Sequence, residues 1–393
     1  MITFLVVIIS LGILIFFHEF GHFVFSKISK ITVEEFGFGY PPRLIGLVKL
    51  KRTNKWKIFF GKKVPNEELS STIYSLNLIP FGGFNKIKGE EGEIVSADSF
   101  YGKSWWQRGI SIIGGVLMNI FLAIILLSIC FKIGIPLSIE KAKIEKNVQI
   151  KEVGIQVISV KKSSPADKAG IRLGDIILKI DGKEFKEEEE IKDYISKKIN
   201  QEINLKIKRG KNEIELKVVP KPLKEIFSEE ELTEDEKEKG GIGIVFSKVS
   251  LVSYPFHLAV LKGIEATFIT FKKILIGVYL ILKELILKRK MIGEVVGVVG
   301  IGTFIGEVYQ VGFVYLLQFI SLISIALAVT QLIPFPALDG GRLVFVLIEG
   351  MTKKQISRKT EAIIHNIGFT ILLLLMIFIT YRDLLRLGEK LFK

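Results

Sequence analysis

The chain has 393 residues, 49% hydrophobic and 24% charged, with a formal net charge of +14. It is too apolar for an ordinary soluble protein and too charged for membrane helices alone, so spans alternating with water-facing segments are expected. The single cysteine, Cys130, excludes a disulfide framework within one chain. The basic excess lies beside apolar runs, where it sets membrane topology, and it is not read as a nucleic-acid surface.

Residues 1–26 form the first predicted span. No basic segment precedes the apolar run and no small-residue cleavage site follows it, so a retained helix is expected rather than a signal peptide. Within it stands "HEFGH". His18 and His22, four residues apart, share one helix face and can share one tetrahedral metal; Glu19, about 100° further round, points to a water on that metal. Unpaired ionisable groups in a span cost several kcal/mol, an objection that metal binding and a working carboxylate largely remove. Gly21 is expected to leave room beside the metal for a substrate backbone.

Residues 27–108 are polar and carry fourteen Lys or Arg, with the turn sequences "GYPPR" and "PFGGF" between short alternating runs; a β-rich loop region is expected. Residues 109–133 form the second span. Residues 148–249 read as a soluble α+β domain, with strand-like "IQVISV", "DIILKI", "INLKIKR" and "IELKVV" around one helical run, "EEEEIKDYISKKI". Its charge run at 227–239 is a solvated loop.

Residues 254–310 are apolar but punctuated. Lys262, Glu265, Lys272, Lys273, Lys283 and Glu284 fall on one helix face, which suggests an amphipathic helix in the membrane interface, with a fifth span as the alternative. The glycine-rich "GEVVGVVGIGTFIGEV" that follows is expected to be re-entrant or to lie on the membrane surface. Residues 313–335 form the third span, 336–362 a loop with five basic residues, and 363–381 the fourth span. With four spans the two basic loops share a side, which the positive-inside rule makes cytoplasmic; the soluble domain is then outside. The basic C-terminal tail would also be outside, against the rule.

Two histidines need a third ligand. Among His257, His365 and Asp339, the last is preferred. It follows the third span, as His18 follows about 22 Å of the first, so both sit toward the cytoplasmic end. In "QLIPFPALDGGR", Pro334 and Pro336 interrupt the helix, and Gly340 and Gly341 permit close backbone approach. The alternative for Asp339 is a cap on the helix that follows.

"HEFGH" in the first span, "ALDGG" after the third, and a PDZ-like domain between spans two and three together resemble the site-2 proteases, in particular the bacterial RIP metalloproteases (peptidase M50, regulator of sigma-E protease-like). The resemblance covers nearly the whole chain. It implies a polytopic α-helical membrane protein with about four transmembrane helices, a β-rich membrane-associated loop and one inserted extracytoplasmic PDZ-like domain. It implies Zn2+ held by His18, His22 and Asp339, with Glu19 as general base.

"IPFGGFNKIKG" resembles the family's membrane-associated β-loop, which implies strand-wise substrate contact around Gly82 and Gly83. "GGVLMN" resembles a second-span motif ending in asparagine, which implies that Asn119 contacts the substrate or polarises its carbonyl. Gln331 stands where the family has a substrate-binding asparagine. Val116 and Val298 replace frequent prolines. "SSPADKAGIRLGDIILKIDGKEF" resembles bacterial protease PDZ domains, with Gly170 and Gly174 in tight turns and Asp175 as a cap. "GGIGIVF" follows the last strands, which suggests a circularly permuted PDZ with Gly241, Ile242, Gly243 and Ile244 as the peptide-end loop; a plain turn is the alternative.

The function implied is a zinc-dependent intramembrane endopeptidase of the bacterial inner (cytoplasmic) membrane. It would act in regulated intramembrane proteolysis, cutting single-pass substrates such as anti-sigma factors or signal-peptide remnants after an upstream site-1-type protease. A second class stays open: a non-catalytic membrane adaptor or chaperone with a structural zinc. Glu19 separates the two, because a structural site fills its fourth position with a ligand rather than placing a base beside it.

Overall fold

The structure, a computed structural model, describes residues 2–50, 53–61, 72–90, 96–137, 148–210, 212–227, 232–233, 238–288, 296–354 and 356–391. Much of the 227–239 charge run therefore lies outside the described residues. The chain divides into two compact units, one of Met1–Leu127, Gly263–Gly306 and Gln318–Lys393, the other of Ser128–Lys262 and Glu307–Leu317.

Among the described residues, four helices are long and apolar enough to cross a membrane: α1 (Ile2–Ile28), α2 (Trp105–Ile133), a third at Phe313–Gln331 and the Arg358–Leu385 part of a fourth. Two ends differ from expectation. α2 starts at Trp105, not at 109, with Gln107 folded back on the residue before the helix: the Gln107 carboxamide oxygen accepts from both the N–H and the hydroxyl of Ser104. The third span stops at Gln331, not at 335. Leu332 and Ile333 tighten into bonds from their N–H groups to Val329 and Thr330 carbonyls, and Pro334 cannot extend the ladder.

In the first unit, α1 packs on a three-stranded sheet, β1 (Val33–Lys49), β2 (Trp56–Phe60) and β3 (Ile73–Ile87), in the order β2-β1-β3. β1 and β3 are both bent. The first part of β1 pairs with both halves of β3: Phe36 lies opposite Tyr74 on one side and Asn85 on the other. The Gly83–Ile87 half of β3 pairs with β1 alone, so its outer edge is open among the described strands. Phe16, Phe20 and Phe23 of α1 stack on Phe36, with centroids 5.6, 5.9 and 4.6 Å away, and fix this edge along the first helix.

The second unit carries a six-stranded sheet. Its strands are β4 (Ile135–Leu137), β5 (Gln149–Val160), β6 (Ile176–Ile180), β7 (Ile203–Arg209), β8 (Asn212–Val218) and, after the short pair β9 (Lys221–Pro222) and β10 (Gly240–Gly241), β11 (Ile244–Ser253). The order is β4-β11-β5-β6-β7-β8. Two helices, α3 (Pro165–Lys168) and α4 (Glu188–Ser196), complete it. The core is mostly isoleucine, with Ile180, Ile203 and Ile207 fully buried. Gly170 and Gly174 take positive φ (82° and 88°) in tight turns. Asp175 does more than cap: besides accepting from the Arg172 N–H, it is fully buried in a two-bond pair with Arg209 at 2.7 Å each.

Among the described residues of 254–310 are two helices, α5 (Phe256–Lys288) and α6 (Val298–Val311), so the glycine-rich stretch is helical from Val298 onward. The third span is α7 (Phe313–Gln331), followed by α8 (Asp339–Thr352) and α9 (Arg358–Leu391).

Candidate metal centre

α1 presents His18 and His22 on one face, and the turn between α7 and α8 brings Asp339 to them. Nε2 of His18 and Nε2 of His22 are 3.2 Å apart, and Oδ2 of Asp339 lies 3.4 and 3.2 Å from them. Three ligands on a tetrahedral zinc at about 2.0–2.1 Å sit about 3.3 Å from one another, so these separations match the ion. Oδ2 of Asp339 is buried and makes no hydrogen bond, an unmet demand that a cation satisfies. These three residues form a metal-competent cluster among the described residues.

The outer nitrogens support the same orientation. Nδ1 of His22 lies 3.0 Å from the Ser111 carbonyl on α2; it donates there, leaving Nε2 free as a ligand. Nδ1 of His18 lies 3.4 Å from the Asn119 carboxamide, while the other amide atom, Oδ1, is buried and unpartnered. Turning the amide over lets Oδ1 accept from Nδ1–H, which is the tautomer a liganding Nε2 requires. Asn119 thus stands behind a candidate ligand as well as lining the cavity.

Asp339 is not a helix cap. It is the first residue of α8, Leu338 holds the cap position, and no side chain caps it. A β-carbon on Gly340 would lie 2.4 Å from the Ile333 carbonyl, and one on Gly341 2.3 Å from that of Phe335, so both glycines let the turn fold tightly over the start of α8. The Gln331 carboxamide oxygen lies 3.5 Å from the Asp339 N–H, tying the end of α7 to the ligand.

The expected role of Gly21 is corrected. A β-carbon there would meet the Gly114 carbonyl at 2.2 Å, so Gly21 serves the close crossing of α1 and α2 and opens no space for substrate. The glycine that does guard the metal position is Gly115, whose β-carbon would fall 2.5 Å from Nε2 of His22.

Gly82, at φ 71°, packs on Ile15 of α1, where a β-carbon would meet that side chain at 2.4 Å. Gly83 abuts Glu19, where a β-carbon would lie 2.9 Å from the glutamate's own. The pair sets how closely β3 approaches the expected base.

A cavity of about 400 Å³ holds His18, Glu19, His22, Asn119, Gln331 and Asp339 in its wall. A second, of about 600 Å³, runs along Gly83–Ile87 of β3; Glu19, Tyr40, Asn85, Ile87 and Glu90 line both. Burial, and then the charge of Glu19, raise the Tyr40 phenol above its ordinary pKa. At the far wall burial works against the Arg342 charge, and its ion pair with Glu90 more than offsets that. Sequence reading did not single out Asn85, Ser111 or Gly115; Asn85 left a trace, a polar residue at an inward position of a strand.

In the soluble domain, Gly243 has φ 81° and its β-carbon would meet Ser164 at 2.4 Å, so the turn requires glycine. Ile242 buries its side chain in the domain core at 2% exposure, and the carbonyls of Ile242 and Gly243 accept from the Ala166 and Lys161 N–H groups. The Ile242 side chain is therefore structural. β11 runs on from Ile244 with β4 on its outer side only at Ser250–Val252, and α4 lies beside the rest. There Glu188 accepts from the Lys248 N–H and the Ser247 hydroxyl, at 2.7 and 2.8 Å.

The profile described as "Peptidase family M50" matches residues 6–60 and 47–375. A putative zinc metalloprotease of Clostridium perfringens is 31% identical over 379 residues, covering 96% of this chain and 97% of that one. The regulator of sigma-W protease RasP of Bacillus subtilis is 26% identical and covers 98% and 99%. Among solved structures, the PDZ domain of an SdrC-like protein of Listeria innocua is 29% identical and covers 24% of this chain and 93% of that one, with a TM-score of 0.20.

Proposed function

Because the chain belongs to peptidase family M50 and is a membrane zinc metalloprotease, we propose that it cleaves the membrane-spanning segments of single-pass proteins. The convergence of His18, His22 and Asp339 beside Glu19, with the two histidines and the glutamate on a helix fit to cross a bilayer, carries this reading. His18, His22 and Asp339 would hold zinc. When bound, zinc polarises the scissile carbonyl and acidifies water.

The rest is the work of the chain. A helical peptide bond is closed to attack, so the substrate must be extended, and the open edge of Gly83–Ile87 offers a strand to extend along. Glu19 takes a proton from the attacking water as the new C–O bond forms, then returns it to the amine nitrogen as the C–N bond breaks. Gln331 and Asn119 supply carboxamides to the cavity wall for the substrate backbone. Anti-sigma factors or signal-peptide remnants, trimmed first by another protease, are the substrate class we favour; the B. subtilis relative's name supports it. The PDZ-like domain faces outward from the bacterial cytoplasmic membrane in this reading, and its Gly241–Ile244 loop is the site for peptide ends.

Purified protein should contain about one zinc. Glu19→Gln should keep that zinc and lose cleavage of a single-pass substrate by about 10²–10⁴-fold, since an amide cannot take the proton. Asp339→Ala should lose metal and activity together. Near-normal turnover in Glu19→Gln, or full zinc in Asp339→Ala, would refute these roles.

A further inference from the structure

The face of β3 that meets α1 breaks its own pattern. Side chains alternate along a strand, so Gly83, Asn85 and Ile87 share a face. Gly83 abuts Glu19, Ile87 is buried in the core around Phe36, and Asn85 lies opposite Phe36 in register. A strand with a buried face calls for an apolar side chain at the middle position. The position holds a carboxamide, and Oδ1 and Nδ2 of Asn85 are both buried without a hydrogen-bond partner among the described residues. An unmet amide costs the fold stability. Asn85 also lines both cavities, on the stretch shared with Glu19.

We infer that Asn85 is a substrate-binding residue, its carboxamide pairing with the N–H and C=O of one residue of the extended substrate beside the scissile bond. The chemistry selects that partner. A carboxamide needs one donor and one acceptor close together, and a residue in an extended strand turns its own N–H and C=O to the same side; a carboxylate would satisfy only Nδ2, a cation only Oδ1, and an apolar side chain neither. Every substrate residue other than proline carries such a pair, so the contact holds register next to Glu19 without reading sequence. This inference rests on the protease reading above.

The test separates binding from cutting by using the full-length, zinc-loaded Glu19→Gln protein. The probe is a synthetic lysine-flanked Leu/Ala single-pass peptide of about 25 residues with a central Gly-Pro-Gly break, together with a series in which each central amide is replaced by an ester. Adding Asn85→Leu should weaken probe binding about 30-fold, the effect of two hydrogen bonds lost at about 1 kcal/mol each. Zinc content should not change, and the melting temperature should hold or rise. One ester should weaken binding to the Glu19→Gln protein and have no effect once Asn85→Leu is present, the non-additivity of a direct contact. Equal binding with and without Asn85→Leu, and a lower melting temperature with it, would make the amide structural and overturn the inference; absence of probe binding by the Glu19→Gln protein would count against it too. If wild-type enzyme binds the probe without cutting it, the protease reading falls while the Asn85 contact stands.

Discussion

A β-carbon on Gly115 would lie 2.5 Å from Nε2 of His22 and 2.6 Å from Cε1 of His18, so α2 can pass behind the imidazoles only with hydrogen at that position. Alanine there is a better helix former than glycine, yet it must push both ligands. Gly115→Ala should leave helix content unchanged by circular dichroism and weaken zinc affinity by about 10–100-fold, the scale for disturbing a ligand's support; metal competition with a chelator reads it directly. That the two histidines meet was legible, because the i, i+4 spacing alone puts them on one face. Gly115 was not, since only the crossing of two helices far apart in sequence gives it meaning. The same holds for Gly21, whose obvious neighbours in sequence are the ligands but whose actual neighbour is Gly114.

Helices and strands hold these residues at their places, and a buried ion pair clamps α2 to α8. Arg108 and Glu349 pair with side chains only 4% and 5% exposed, and Glu349 also accepts from the Ile356 N–H at 2.9 Å. α8 begins with Asp339, so this pair fixes the helix that carries the third candidate ligand. Glu349→Gln leaves a buried guanidinium without its counter-charge and should cost about 3–5 kcal/mol, whereas Arg108→Met with Glu349→Leu should cost far less; thermal unfolding in detergent distinguishes them. At this scale the apolar runs announced the four long helices, and turn sequences announced a β-rich loop. The ends were harder. Hydropathy alone started α2 at 109, while the helix starts at Trp105, with Gln107 folded back on Ser104. The double pairing of β1 with two halves of β3 is not written in alternation at all, because period two fixes which face a residue takes and not which strand lies beside it.

For the whole molecule, the topological proposal makes a checkable statement about sides. In a Cys130→Ala background, Lys197→Cys on the soluble domain should react with an impermeant maleimide on intact cells. Lys55→Cys, in the loop between β1 and β2, should react only after permeabilisation; both native side chains are exposed. Labelling in the reverse order would invert the orientation derived from basic residues. The charge pattern was enough to frame that expectation, and the resemblance of motifs to frame the chemistry; neither disclosed that the open strand edge and the metal-competent cluster share a wall. That shared wall has a consequence for supply. A strand edge with unpaired N–H and C=O groups cannot sit dry in hydrocarbon, so in the proposed membrane placement the cavity beside it admits water. Hydrolysis consumes one water per cut, and within a bilayer the scarce reactant is the solvent; the same groups that invite a peptide to pair keep water in that cavity until the peptide arrives.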